Sequence, residues 1–151
     1  MMSNKHFFLP VIILGLTTLS FIFLACDKDE GPVNENCPEK AIESKSRYNR
    51  SSDMPFVIDS AYIEDQCLFI FIEHSGGCES LSYELVDRGD IAESYPVQRW
   101  IKLLIRGTDN CDALVYPELS FDLTPIQAMG EEVSTLHLEG WDEPLEHHYA
   151  N

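Results

Sequence analysis

Three hydropathy regimes succeed one another along the chain. Phe7 to Ala25 is an uncharged apolar stretch with Lys5 ahead of it. Residues 27–53 are rich in Asp, Glu, Asn, Ser, Pro and Gly, with Val33, Ile42 and Tyr48 as their only sizeable apolar side chains. That is too little to build a core, so this stretch reads as a polar tether. From Met54 onward, short apolar runs are punctuated by turn residues, the rhythm of strands rather than helices.

The runs can be placed individually. Phe56–Ile63 reads as a first strand, turning at Glu64-Asp65-Gln66 into Cys67–Glu73, which is apolar on both faces as a central strand would be. After Ser75-Gly76-Gly77, the alternation of Leu81, Tyr83 and Leu85 with Ser82 and Glu84 gives a half-buried strand. Val97, Ile101, Leu103 and Ile105 share one face of the next strand. Arg99 interrupts that face, which places the strand's entry into the core after it. Leu114–Tyr116 and Glu118–Leu123 read as one strand broken at Pro117, and Thr124-Pro125-Ile126 as a 3₁₀ turn. Val133–Leu138 and Leu145–Tyr149 close the domain. The expectation is all-β: a disulfide-stabilised, antiparallel immunoglobulin-like β-sandwich of about seven strands over residues 54–151.

The apolar leader with its positive head reads as a secretory signal. Phe23-Leu24-Ala25-Cys26 resembles the lipobox of bacterial lipoproteins, with Phe23 where Leu is usual. The resemblance implies cleavage after Ala25, a diacylglyceryl group on the Cys26 sulfur and an acylated Cys26 amine. The rival, an uncleaved membrane helix, has about the length a bilayer core requires, but Pro10, Gly15, Thr17, Thr18 and Ser20 dilute it. Asp27-Lys28-Asp29-Glu30 resembles the acidic run that directs Bacteroidota-type lipoproteins to the cell surface. The expected organisation is a signal peptide over 1–25, lipidated Cys26 with its tether over 26–53, and the sandwich beyond. The expected location is the outer membrane, on the cell surface, with its periplasmic face as the alternative.

Charge narrows the partners. The chain carries 26 acidic residues against ten basic ones, of which Lys5 lies in the leader, and its net charge is −16. Nucleic acid and anionic lipid favour a basic footprint, so neither is an expected partner.

Cys37, Cys67, Cys78 and Cys111 follow the export signal into an oxidising compartment, where two disulfides have three possible connectivities. Cys78 and Cys111 both sit in turn contexts, Ser75-Gly76-Gly77-Cys78 and Thr108-Asp109-Asn110-Cys111-Asp112, which favours their pairing and leaves Cys37 for Cys67. No C-x-x-C pair is present to suggest zinc. His74-Ser75-Gly76-Gly77-Cys78, Glu93-Ser94-Tyr95-Pro96-Val97 and Asp109-Asn110-Cys111 with Leu119-Ser120-Phe121-Asp122-Leu123 resemble a group of small uncharacterised bacterial lipoproteins with a Gly-Gly-Cys turn. That resemblance covers residues 56–138, supports the Cys78–Cys111 pairing and implies no activity.

Chemistry-bearing residues are sparse. His74 and Ser75 are neighbours on a strand and point to opposite faces, a poor nucleophile–base pair. His147 and His148 likewise point apart, and with His137 they read as ordinary, partly exposed histidines. Asp109, Asn110 and Asp112 offer oxygens of the kind calcium takes, without an EF-hand pattern, and read as a solvated, disulfide-tied loop. Asn49-Arg50-Ser51 and Asp59-Ser60-Ala61 match short glycosylation patterns. Trp100, on the polar side of its strand, and Trp141, in a loop, are the candidates for binding a protein or glycan. No catalytic residue, metal or cofactor is implied. The expected function is a non-enzymatic, lipid-anchored binding or accessory module; the alternatives are an inhibitor or immunity-type lipoprotein that blocks a partner enzyme, and a hydrolase.

Overall fold

Side chains that alternate along a strand must sort to two faces, and the sorting here produces two sheets with one core between them. The computed structural model describes residues 35–149 apart from Glu93, so the signal segment 1–25, Cys26 and the acidic run after it lie outside the described residues. The strands are β1 (Glu39–Lys40), β2 (Ile42–Glu43), β3 (Val57–Glu64), β4 (Cys67–Gly76), β5 (Ser82–Asp87), β6 (Val97–Arg106), β7 (Ala113–Val115), β8 (Glu118–Asp122), β9 (Val133–Leu138) and β10 (Leu145–His148). A one-turn helix, α1 (Lys45–Tyr48), follows β2, and a 3₁₀ turn (Thr124–Ile126) follows β8.

One sheet runs β1-β8-β4-β3, with β7 paired to the far end of β4; the other runs β10-β9-β6-β5-β2. Leu68, Ile70 and Ile72 of β4 meet Leu85, Ile101 and Leu103 of β5 and β6, all 1% exposed or less. The opposite face of β4 is apolar too because Phe69 and Phe71 stack with Tyr62 of β3 outside the core, at ring-centroid distances of 5.1 and 6.3 Å. Pro117 interrupts the strand as expected: β7 pairs with β4 at His74–Gly76 and β8 with Cys67–Phe71.

The sandwich is all-β as expected, but its sheets are mixed rather than purely antiparallel, and the described residues form ten strands rather than about seven. The hairpins β3–β4, β5–β6 and β9–β10 are antiparallel. β6 and β9, however, are parallel. Parallel neighbours need a crossover, and the excursion through β7 and β8 in the other sheet supplies it.

The other two parallel pairings correct the reading of residues 27–53 as tether alone. β1 pairs with β8 and β2 with β5, so the segment changes sheets at Ala41, which is 2% exposed. Ala41 N–H donates to the Asp122 carbonyl on one sheet and Ser44 N–H to the Asp87 carbonyl on the other, both at 2.9 Å. The folded unit therefore begins well before Met54. Ser44 caps α1, its Oγ accepting from Arg47 N–H at 3.4 Å. The helix packs on β5, where Val86 and, on β6, Leu104 face away from the core yet are fully buried. The segment then ties to β6 through Asp53 N–H, which donates to the Ile105 carbonyl at 2.9 Å.

Candidate functional site

Both disulfides form as expected, Cys37–Cys67 and Cys78–Cys111. Asp109 organises the second. Its Oδ2 accepts N–H bonds from Gly77, Cys78 and Glu79 at 2.8–2.9 Å, and its Oδ1 accepts from Cys111 at 2.9 Å. A Cβ on Gly76, at φ +146°, would lie 3.0 Å from that Oδ2, which explains a glycine there. The N–H donors of Glu79 and Cys111, with those of Cys78 and Gly77, outweigh desolvation and hold the Asp109 carboxyl at about 2. Cys78, Asp109 and Cys111 bring potential ligand atoms within 4.8 Å of one another. Their sulfurs are committed to the disulfide and the carboxylate to backbone N–H groups, so the loop is disulfide-tied as expected, with Asn110 and Asp112 exposed, but Asp109 is buried and braces it.

The histidines divide sharply. His74, 4% exposed, reaches across the core from β4 to β5. Its Nδ1 lies 2.7 Å from the Ser75 carbonyl, which can only accept, so Nδ1 carries the proton and Nε2 accepts from Tyr83 O–H at 2.9 Å. Ser75 stands exposed on the other face, so no nucleophile–base pair forms. His147, read as partly exposed, is fully buried, whereas His148 is exposed. Periodicity placed Leu145, His147 and Tyr149 on one face but could not tell which face is covered. His147 Nε2 donates to Gln66 Oε1 at 2.9 Å, and its Nδ1 is buried with no hydrogen-bond partner.

Burial, with a contribution from His148 against an opposing one from Asp122, lowers the His147 pKa to about 4. A folded pKa below the unfolded value means stability is full above about pH 6.5 and declines as pH falls toward about 4. The expected loss is on the order of 3 kcal/mol. Urea unfolding at pH 7 and pH 4.5 checks this. His147→Leu, which leaves the Gln127 amide still donating to Gln66 Oε1, should show a visibly flatter decline than the parent chain.

Trp100 lies on the outer face of β6, as its alternation predicts, but much of its ring is occupied. The Arg88 guanidinium lies 4.2 Å from its centroid and His137 stacks on it at 5.5 Å. Trp141 packs against the core, and its Nε1 is buried without a partner. Arg99 overturns the expectation that its strand enters the core only after it. The strand enters at Val97, and Arg99 is 1% exposed. Its Nε and Nη2 donate to the Asp87 carboxylate at 2.8 and 3.2 Å, and Nη2 also to Glu43 Oε2 at 2.6 Å. A period of two marks the position as inward but cannot reveal partners so distant in sequence.

The feature sequence reasoning missed is an open cleft on the side where β5 and β8 approach each other. Two cavities of about 350 and 370 Å³ meet there, both lined by Leu81 and Tyr83. The first continues past Leu119 toward Pro38, and the second past Val115 to Tyr116, which is 65% exposed. Burial raises the Tyr83 pKa, keeping its O–H a hydrogen-bond donor. Elsewhere, Tyr95 and Met129, 82% and 100% exposed, line an open groove of about 700 Å³ with Ile91.

No family model matches the chain, and no curated protein matches it in sequence. Solved structures do resemble it. A NigD-like immunity protein from Bacteroides caccae aligns with a TM-score of 0.53 at 14% identity, covering 72% of this chain and 57% of that one. A protein of unknown function, DUF1344, from Bacteroides vulgatus gives 0.51 at 14% identity, covering 75% and 57%. This chain thus spans less than two thirds of either protein's length, and the likeness shows a shared fold.

Proposed function

We propose that the protein is a non-enzymatic binding module of the bacterial envelope, anchored by lipid at Cys26 and engaging a partner through the cleft between β5 and β8. The observation that carries the reading is the cleft itself: apolar side chains line an opening that the sandwich leaves unfilled, with Tyr116 standing in solvent at its margin. The imidazole of His74 and the carboxylate of Asp109 are both spent on internal hydrogen bonds, which favours binding over catalysis. The Bacteroides source of proteins with this fold supports the lipoprotein reading of the leader and its acidic run.

The test is site-specific photo-crosslinking in the native host. A probe at Leu81 or Tyr116 should trap a discrete partner, while one at Asp59, on the far strand β3, should not. Trapping from Tyr95 alone would move the function to the other groove and sink the cleft. Protease digestion of intact cells separates the cell surface from the periplasmic face. A second reading, an immunity-type protein, has the fold likeness to the NigD-like immunity protein in its favour; under it, the trapped partner is an enzyme or toxin whose activity falls on binding.

A further inference from the structure

Both sheets end at the cleft in strand edges that the N-terminal segment covers only in part. β2 pairs with β5 at Val86 and Asp87, and β1 with β8 at Phe121 and Asp122. Among the described residues, Ser82–Leu85 and Glu118–Ser120 have a strand neighbour on one side only. Alternate residues of such a strand turn their N–H and C=O groups away from the paired neighbour, so both stretches offer unpaired backbone to the opening. Each edge already accepts a short parallel strand from its own chain. Pro38, with no N–H to donate, precedes β1 where that pairing stops.

Charge distinguishes the occupants. The charged residues lining the two cavities are Glu39, Glu79 and Glu118, all exposed, and no Lys or Arg lines either. The cations near Glu84, Arg47 and Arg106, are paired with it. The chain's own residues 27–34 carry Asp27, Asp29 and Glu30 against Lys28 alone and so are net acidic, and a second copy would bring the same acidic rim, so both meet like charge.

Resting on the binding reading above, we infer that the cleft takes an extended, basic segment of a partner polypeptide as an added strand on the Ser82–Leu85 edge of β5. Backbone groups supply the register, alternate apolar side chains meet Leu81, Tyr83 and Leu119, and the Lys or Arg side chains between them meet the field of the acidic rim.

The test uses the full chain in detergent micelles and a labelled short peptide alternating Lys and Val. Binding by fluorescence anisotropy should weaken about ten-fold or more when the peptide's edge amides are N-methylated, when Glu replaces Lys, or in the Leu81→Lys chain. Amide exchange should slow at Ser82–Leu85. Equal binding of the N-methylated peptide, or protection elsewhere, overturns strand addition while leaving a cleft that binds. No binding of the Lys–Val peptide at about 1 mM, a contact worth less than about 4 kcal/mol, overturns the partner chemistry. Neither result touches the crosslinking outcome, on which the binding reading stands or falls separately.

Discussion

Reducing both disulfides is expected to leave the domain largely unfolded at 37 °C. Cys37–Cys67 and Cys78–Cys111 span 30 and 33 residues. In the chain-entropy account, closing loops of that length contributes about 3.5–4 kcal/mol each. Together that is about 7 kcal/mol, against a total stability of about 5–15 kcal/mol for most domains. Thermal unfolding followed by circular dichroism should move down by ~20 °C or more in reductant. The two losses should differ in place. Replacing Cys37 and Cys67 by Ser should release the sheet-switching segment, seen as faster exchange of the Ala41 amide that now bonds Asp122. Replacing Cys78 and Cys111 should loosen the Gly77–Glu79 amides held by Asp109. An unchanged melting temperature would mean that neither crosslink restrains the unfolded chain.

Elements built on long, regular alternation were legible. β6 and β9 match the runs that predicted them and β3 is displaced by one residue, while β4 runs three residues past Glu73, to Gly76, because β7 pairs with it at His74–Gly76. The break at Pro117 falls where a residue without an N–H had to interrupt pairing with β4. β1 and β2 were not legible because two residues carry no period. Their pairing is set by partners on β8 and β5, far along the chain, and by the Cys37 anchor. The parallel β6–β9 pair was hidden for a related reason: turn residues announce hairpins, but nothing local announces a crossover. The cleft is a property of edges that stay unpaired, so it depends on where β1 and β2 stop. Of the apolar residues that line it, Leu119 belongs to the core cluster and Leu81 and Tyr83 pack against that cluster, so in sequence they look like any half-buried alternation.

Arg99 is the position where the local reading failed and where a single substitution should cost most. The guanidinium lies inside the sandwich with both Asp87 oxygens within 3.2 Å and Glu43 beside it, joining β6 to β5 and to β2. Asp87 is fully buried, and its Oδ1 also accepts from the Gly89 N–H. Arg99→Met fills similar volume but strands the Asp87 carboxylate in a medium that solvates charge poorly. Breaking a buried pair from one side costs about 3–5 kcal/mol. Removing both charges tests the cause. Arg99→Met with Asp87→Leu replaces the pair by apolar bulk, and such exchanges are often neutral or stabilising by about 1–4 kcal/mol. Glu43, 54% exposed at its side chain, remains solvated when its partner goes. Urea unfolding of the three chains decides the matter: a double variant as weak as Arg99→Met would mean that the arginine stabilises through its packing and not by neutralising Asp87.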